Sequence, residues 1–568
     1  MGLRTAIAGT AVAVGIGLCP VAGSAQGYSG PYLAALSADI AQDHDEAARY
    51  YLRVLGYNPN DLDILQRAMR SQVAAGDPGA AVVLARRVEA LTDESELAEL
   101  LLIAEDIREG RLTSALDRIE RDEGTLLPLL SALWRGWLLL NTGEENAAFE
   151  AFAAMDENPT IAMFGRYHAG LAHAALGDFE EAVALLSDHP EGPVELNRGA
   201  TRARLEALSA VGRGEEAAAT VEDLLEGGIG DIEFETLATA LAQGVDGITA
   251  VQSPLDGMAL ALEDVAGAFS GQGDLASLLY ARIASWLDPD LGEARLIAAN
   301  ALSGQGQSDL ALASLAAVPV ASPLHAEAEM TRAAILEGLG EIDAAAEVYT
   351  TLVRTHPEAL RVRFLQAELL RGAERFDEAI AAYDSAIELA EASGADLWQL
   401  YNGRAVAHHR SDNWPLAEAD FRAALAIEPE QPFVLNYLGY TLVERREKLD
   451  EALDMIERAV EARPDNGFIV DSLGWVYYTL GRYDEAVVQM ERAVELEPID
   501  PILNDHLGDV YWAVGRKREA EFQWHRALSF EPEPELAERI RRKLDIGLDA
   551  VLEEEEGPAP LDEARNGN

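Results

Sequence analysis

The stretch from Asp471 to Pro498 reads DSLGWVYYTLGRYDEAVVQMERAVELEP, crowding aromatics, acids and glycines into a short span. Shifted along the chain, it repeats. Gly474 returns as Gly508, Tyr477 as Tyr511, Gly481 as Gly515, Ala486 as Ala520, Ala493 as Ala527 and Pro498 as Pro532, always at an offset of 34. Toward the N-terminus, Ala452, Ala459 and Pro464 each lie 34 before their counterparts, and Gly439 lies 35 before Gly474, the extra residue falling in ERREKL. A fixed period of that length marks a repeat architecture, in which each unit buries its apolar faces against its neighbours.

Within one unit, Leu473, Gly474, Tyr477 and Leu480 recur at helical spacing, and Ala486, Met490, Ala493 and Leu496 do the same in a second helix. Gly481 stops the first helix and Pro498 marks the exit from the second. Paired antiparallel helices approach closely only where the facing residues are small, which assigns Gly474, Ala486 and Ala493 to the contact; larger side chains there overpack, at about 1–3 kcal/mol each. This small-large pattern, at this period, resembles the tetratricopeptide repeat (TPR) position by position. The resemblance implies an all-α fold: a superhelical solenoid of antiparallel helix pairs with a long concave groove.

The ladder continues upstream. Glycines at 76, 110, 143, 177 and 212 form one series and those at 273, 306 and 340 another, with spacings of 33 to 35. Between them the phase slips, Gly244 being a degenerate member, and GVDGITAVQSPLDG has the glycine and proline content of a loop. The expected organisation is a leader at 1–25, a divergent TPR-like array at 28–230, a degenerate repeat or linker at 231–258, a second array with a capping helix at 259–546, and a disordered acidic tail at 547–568. Fourteen units are expected, beginning near 28, 62, 96, 129, 163, 198, 259, 292, 326, 360, 398, 432, 467 and 501. The segment EASGAD at 391–396 is expected to lengthen a loop, and PELAERIRRKLDIGL to cap the stack with a polar face.

The first residues have the layout of a secretory signal peptide: Arg4, the apolar run Ala6–Leu18, then small residues before a cut ahead of Gln26. That run falls short of the roughly 20 residues a bilayer span needs. Export to the periplasm is therefore expected. The single cysteine, Cys19, is either lost with the leader or lipidated, and membrane association follows only in the second case. A formal charge of −55, from 99 acids against 44 bases, repels phosphate backbones and anionic lipid, so nucleic acid is not an expected partner.

Catalysis requires convergent groups, and the sequence offers none. SGQGD at 270–274 and SGQGQ at 303–307 lack the Lys-Ser/Thr ending of a phosphate loop, and QDHDEAA at 42–48 lacks the glycine and late glutamate of a calcium loop. His168 and His173 are five apart and do not share a helix face, and His408 takes a packing slot. No enzyme activity, cofactor or metal is expected. The competing reading is an envelope enzyme or glycan-binding protein whose site hides in an irregular segment.

In tetratricopeptide arrays the first helix of each unit lines the groove, and carrying its free positions over gives Asn436, Tyr440, Asp471, Trp475, Tyr478, Asp505, Asp509 and Trp512. Aromatics beside acids suit an extended peptide of neutral or basic character. The blocks NYLGY, DSLGW and NDHLGD further resemble large cell-envelope TPR proteins of Gram-negative bacteria over about 259–546. That group includes outer-membrane lipoproteins that bind a carboxyl-terminal processing protease and bring substrates to it. The resemblance implies a periplasmic adaptor with protein or peptide partners.

Overall fold

The computed structural model describes residues 27–555, apart from 191, 226, 227, 246, 272, 273 and 396. The expected leader at 1–25, with Cys19, and also Gly273 and residues 556–568 lie outside the described residues. Within them are 31 α-helices and one short 3-10 turn: fourteen antiparallel pairs, with Ile232–Gln243, Pro534–Ile546 and Leu548–Glu554 left over. Each pair begins within a few residues of the position read from the ladder, from Ser29–Ile40 with His44–Leu55 through to Pro501–Ala513 with Lys517–Ser529.

The ladder is a series of left-handed turns. Glycines 76, 110, 143, 177, 212, 244, 306, 340, 481 and 515 all have positive φ, between 73° and 105°. This conformation costs a residue with a Cβ about 1–2 kcal/mol. The same slot in other units holds Gln42, Glu374, Asp412 and Arg446, at φ of 53° to 60°. In the ERREKL turn Lys448 is also left-handed (φ 48°), which absorbs the inserted residue. The small contact positions are required sterically. A Cβ on Gly474 would lie 2.8 Å from Met490 Cγ, and one on Gly508 2.4 Å from Trp524 Nε1.

The chain divides into two compact units, Met1–Thr220 with Leu237–Ala328, and Val221–Thr236 with Glu329–Asn568. This differs from the expected boundary at 231–258, because residues 237–328 return to the first unit. There the helices Pro254–Ala268 and Leu275–Leu287 pack on the first helices of earlier pairs, Pro128–Thr142, Ala162–Ala175, Leu62–Ala75 and Glu96–Arg108. Gly257 lets its helix reach the Trp137 ring, where a Cβ would come within 2.1 Å. Trp134 Nε1 donates to the Met258 carbonyl at 2.9 Å. Trp137 Nε1 donates to His168 Nδ1 at 2.8 Å, leaving His168 Nε2–H to donate to Asp264 at 2.8 Å. His44 bonds Gln305 at 2.6 Å, across most of the unit's sequence.

The expected linker is pinned. Glu206 accepts the N–H and hydroxyl of Thr249, each at 2.7 Å, and Ser253 with Asp256 forms a capping box on the next helix. In the second unit EASGAD lengthens a helix instead of a loop: Phe376–Ser393 ends on left-handed Gly394 after five turns. The tail assignment is corrected for Leu548–Glu554, a helix with Leu548 and Val551 buried. Those two apolar residues, a period of three apart, carry it into the core.

Candidate partner-binding groove

In the second unit the first helices Pro432–Glu444, Gly467–Thr479 and Pro501–Ala513 touch one another as well as their own second helices, forming the inner layer of the stack. All eight sequence-assigned groove residues lie on these helices: Asn436 and Tyr440 on one, Asp471, Trp475 and Tyr478 on the next, Asp505, Asp509 and Trp512 on the third. Spacings of three and four within each helix put them on one face.

That face is partly closed by the chain's own C-terminus. Lys543, on the helix Pro534–Ile546, is fully buried, its Nζ donating to Asp505 at 2.8 Å and to Asp509 at 2.6 and 2.8 Å. Trp524 Nε1 donates to Asp509 at 3.0 Å, and Arg539 lies 3.8 Å from both carboxylates. Asp505 and Asp509, expected to face a ligand, are 1% exposed and already paired. Burial, with Asp509 beside it, still pushes the Asp505 carboxyl up, because two acids share one lysine. Trp512 is likewise taken: its Nε1 donates to Asp549 at 3.0 Å and Gly547 packs against its ring.

One period earlier, Asp471 accepts from His506 Nδ1 at 2.9 and 3.1 Å. Burial draws the imidazole pKa down, but Asp471, helped by Asp505 and Asp509, outweighs it and the net shift is upward. Trp475 stacks on His506 at 4.2 Å and on Tyr478 at 5.0 Å between ring centroids. Burial pushes the Tyr440 and Tyr478 hydroxyls up.

What stays open is a cavity of about 280 Å³ with Trp475 and Tyr478 on one wall, Glu444 and Arg446 on a second, and Arg539 and Leu552 on a third. Burial pushes the Glu444 carboxyl up, against the opposing pull of His506 and the Tyr440 hydroxyl. Two turns back along the Glu444 helix, Asn436 Oδ1 is buried and accepts no hydrogen bond. The cavity offers a stacking surface and charges of both signs.

The sequence did not reveal Lys543, His506, Glu444 or Arg539 as members of this site. Lys543 carried a signal, since its offset from Asp509 is 34, one full period. The helix holding it thus takes the place of the first helix of a next unit. Read by composition as a polar cap, it instead inserts its ammonium into the face it covers.

Comparison with known proteins agrees with the repeat pattern. Residues 296–357, 330–396 and 365–432 match one tetratricopeptide repeat model and 471–500 another. Tetratricopeptide repeats are therefore present in this chain, and its fold class is all-α. A TPR repeat-containing protein of Pseudomonas aeruginosa is 39% identical over 87 residues, 15% of each chain, so the chain spans 15% of the length of that curated relative. Among solved structures, the APC/C hetero-tetramer Cut9-Hcn1 is 16% identical over 92% of this chain and 97% of that one, with a TM-score of 0.36. Yeast Tom70 is 14% identical over 93% and 98%, with a TM-score of 0.32.

Proposed function

We propose that this chain is an exported, non-catalytic scaffold that holds an extended segment of a partner protein along the inner face of its second unit. The carrying observation is the Trp475 cavity, where a stacked indole and phenol meet a wall of mixed charge. Lys543 and Arg539 already pair with Asp505 and Asp509, so these acids are not open to select a basic ligand. An aromatic or apolar side chain entering beside Trp475 matches what remains.

The leader-like N-terminus supports export, and the envelope-protein blocks support a role as adaptor for a periplasmic carboxyl-terminal processing protease and its substrates. An adaptor of this kind works by raising effective concentration between two bound partners.

A photo-crosslinking residue at Glu444, in cells, captures the partner. Trp475→Ala is expected to abolish capture while circular dichroism stays unchanged. A folded Trp475→Ala protein that keeps every partner refutes the groove assignment. Turnover of peptide or peptidoglycan by the purified chain refutes the scaffold reading, and a mature N-terminus far from Gln26 refutes the export reading.

A further inference from the structure

The first unit contains a second cavity, of about 390 Å³, that the groove does not involve. Phe164, Leu196 and Ile297 give it apolar walls, and Glu263, Asp264 and Glu293 line it. Asp264 is spoken for, since His168 and Asn197 hold its two oxygens at 2.8 and 2.6 Å. Glu263 is different. It is 6% exposed, the Ala294 backbone N–H serves one oxygen, and Oε2 is buried without any hydrogen-bond partner. A buried carboxyl oxygen left without a partner carries an uncompensated desolvation cost unless something fills its place.

Among the described residues, the charged groups that act on Glu263 are acids. Asp264 adjoins it on the same helix, with His168 beyond, and Glu293 and Asp288 approach from the following segment. From the helix Ala162–Ala175 comes the Tyr167 hydroxyl, itself pushed up by burial and by these acids. Burial, then Glu293, Asp264 and Asp288, push the Glu263 carboxyl well up. Among the described residues no three metal-ligating groups are placed together, and the wall combines the apolar Phe164, Leu196 and Ile297 with the neutral polar Asn197, Ser270, Ser277 and Asn300.

We propose that this cavity binds an organic cation, a primary ammonium or guanidinium on an aliphatic stem, with Glu263 Oε2 as its acceptor. The stem lies against Phe164, Leu196 and Ile297, and the cation meets the field of Glu263 and Glu293 at the floor. The group comes either from a free small amine or from a Lys or Arg side chain of a polypeptide. A cation favours the ionised form of Glu263, so any proton the buried carboxyl carries is released to solvent as the cation enters, and affinity rises with pH.

Isothermal titration calorimetry on the full chain tests this with three probes: n-butylammonium, n-butylguanidinium, and capped acetyl-Gly-Arg-Gly-amide. Saturable binding at millimolar probe is expected, with a heat that depends on buffer ionisation enthalpy. Glu263→Gln, which keeps the shape, is expected to weaken binding at least tenfold and to remove the buffer dependence. A preference for the free cations identifies a small amine, and a preference for the peptide a partner's side chain. Absence of binding by all three probes, unchanged affinity in folded Glu263→Gln, or displacement of the probe by magnesium or calcium at equal concentration overturns the proposal.

Discussion

Replacing Lys543 with Met keeps most of the stem volume and removes the charge that joins the last helices to the inner face. Asp505 and Asp509, each 1% exposed, are then left without their ammonium. Removing one partner of a buried ion pair costs about 3–5 kcal/mol. The structure supplies a second route to that magnitude. With Nζ gone, Arg539 at 3.8 Å is the cation left beside two buried carboxylates, and one of them is expected to take up a proton. Keeping one protonated at pH 7, roughly three units above the ordinary Asp value of about 3.9, costs about 4 kcal/mol at 1.36 kcal/mol per unit. The two agree. The protonation route also fixes the sign of the pH dependence. A carboxyl raised in the folded state is least costly below its unfolded pKa, so the deficit of the variant shrinks by about 1.4 kcal/mol per unit from pH 7 toward pH 4. A stacked array loses its end units separately, so a single melting midpoint reports this poorly. Amide exchange in Pro501–Ala513 and Pro534–Ile546 reads it directly. The triple variant Asp505→Asn, Asp509→Asn, Lys543→Met is expected to recover most of the loss. A Lys543→Met deficit below about 1 kcal/mol at pH 7, or one indifferent to pH, refutes the reasoning.

Gly340→Ala and Glu374→Gly exchange residue types in one turn slot, a period apart, at φ of 78° and 60°. The first is expected to cost about 1–2 kcal/mol. The second gains about 0.5 kcal/mol once the extra freedom of glycine in the unfolded chain and the exposed Arg410 pair are subtracted. Urea midpoints should move in opposite directions, and movement in the same direction contradicts the strain argument. His506, whose folded pKa is raised by Asp471, contributes stability that is full below its unfolded value of about 6.5 and is lost as pH rises through the folded one. Local exchange in Gly467–Thr479 from pH 5.5 to 8.5 should show that loss in the wild type and not in His506→Gln, and equal slopes would remove the His506–Asp471 pair as its cause.

The period was legible because a helix pair stacked on its copy needs the same small residue at the same offset every time. Hence Gly474, Ala486 and Gly481 announced themselves, and the unit starts with them. Turn slots filled by Gln42, Glu374, Asp412 and Arg446 were silent, since the fold imposes left-handed geometry there against local preference. The return of residues 254–305 onto the first array was silent for another reason. Pairs such as His44 with Gln305, or Trp134 with Met258, bridge several periods and leave no periodic trace. Of the eight groove residues, the helix and face were legible for each. Their occupancy was not, because it depends on Lys543, which only the repeat offset could have pointed to.

The order in which the two units use the chain has a topological consequence. The backbone passes from one to the other three times, at 220/221, 236/237 and 328/329, and the helices Gly214–Leu225, Ile232–Gln243 and His325–Gly338 each straddle a crossing. A single nick therefore cannot sever either unit cleanly. Cleavage between 221 and 236 would leave two fragments still gripping each other through His44, Trp134 and His168 on one side and Gln305, Met258 and Asp264 on the other. For a protein proposed to work beside a protease, such a chain can be cut in that segment and keep its halves together.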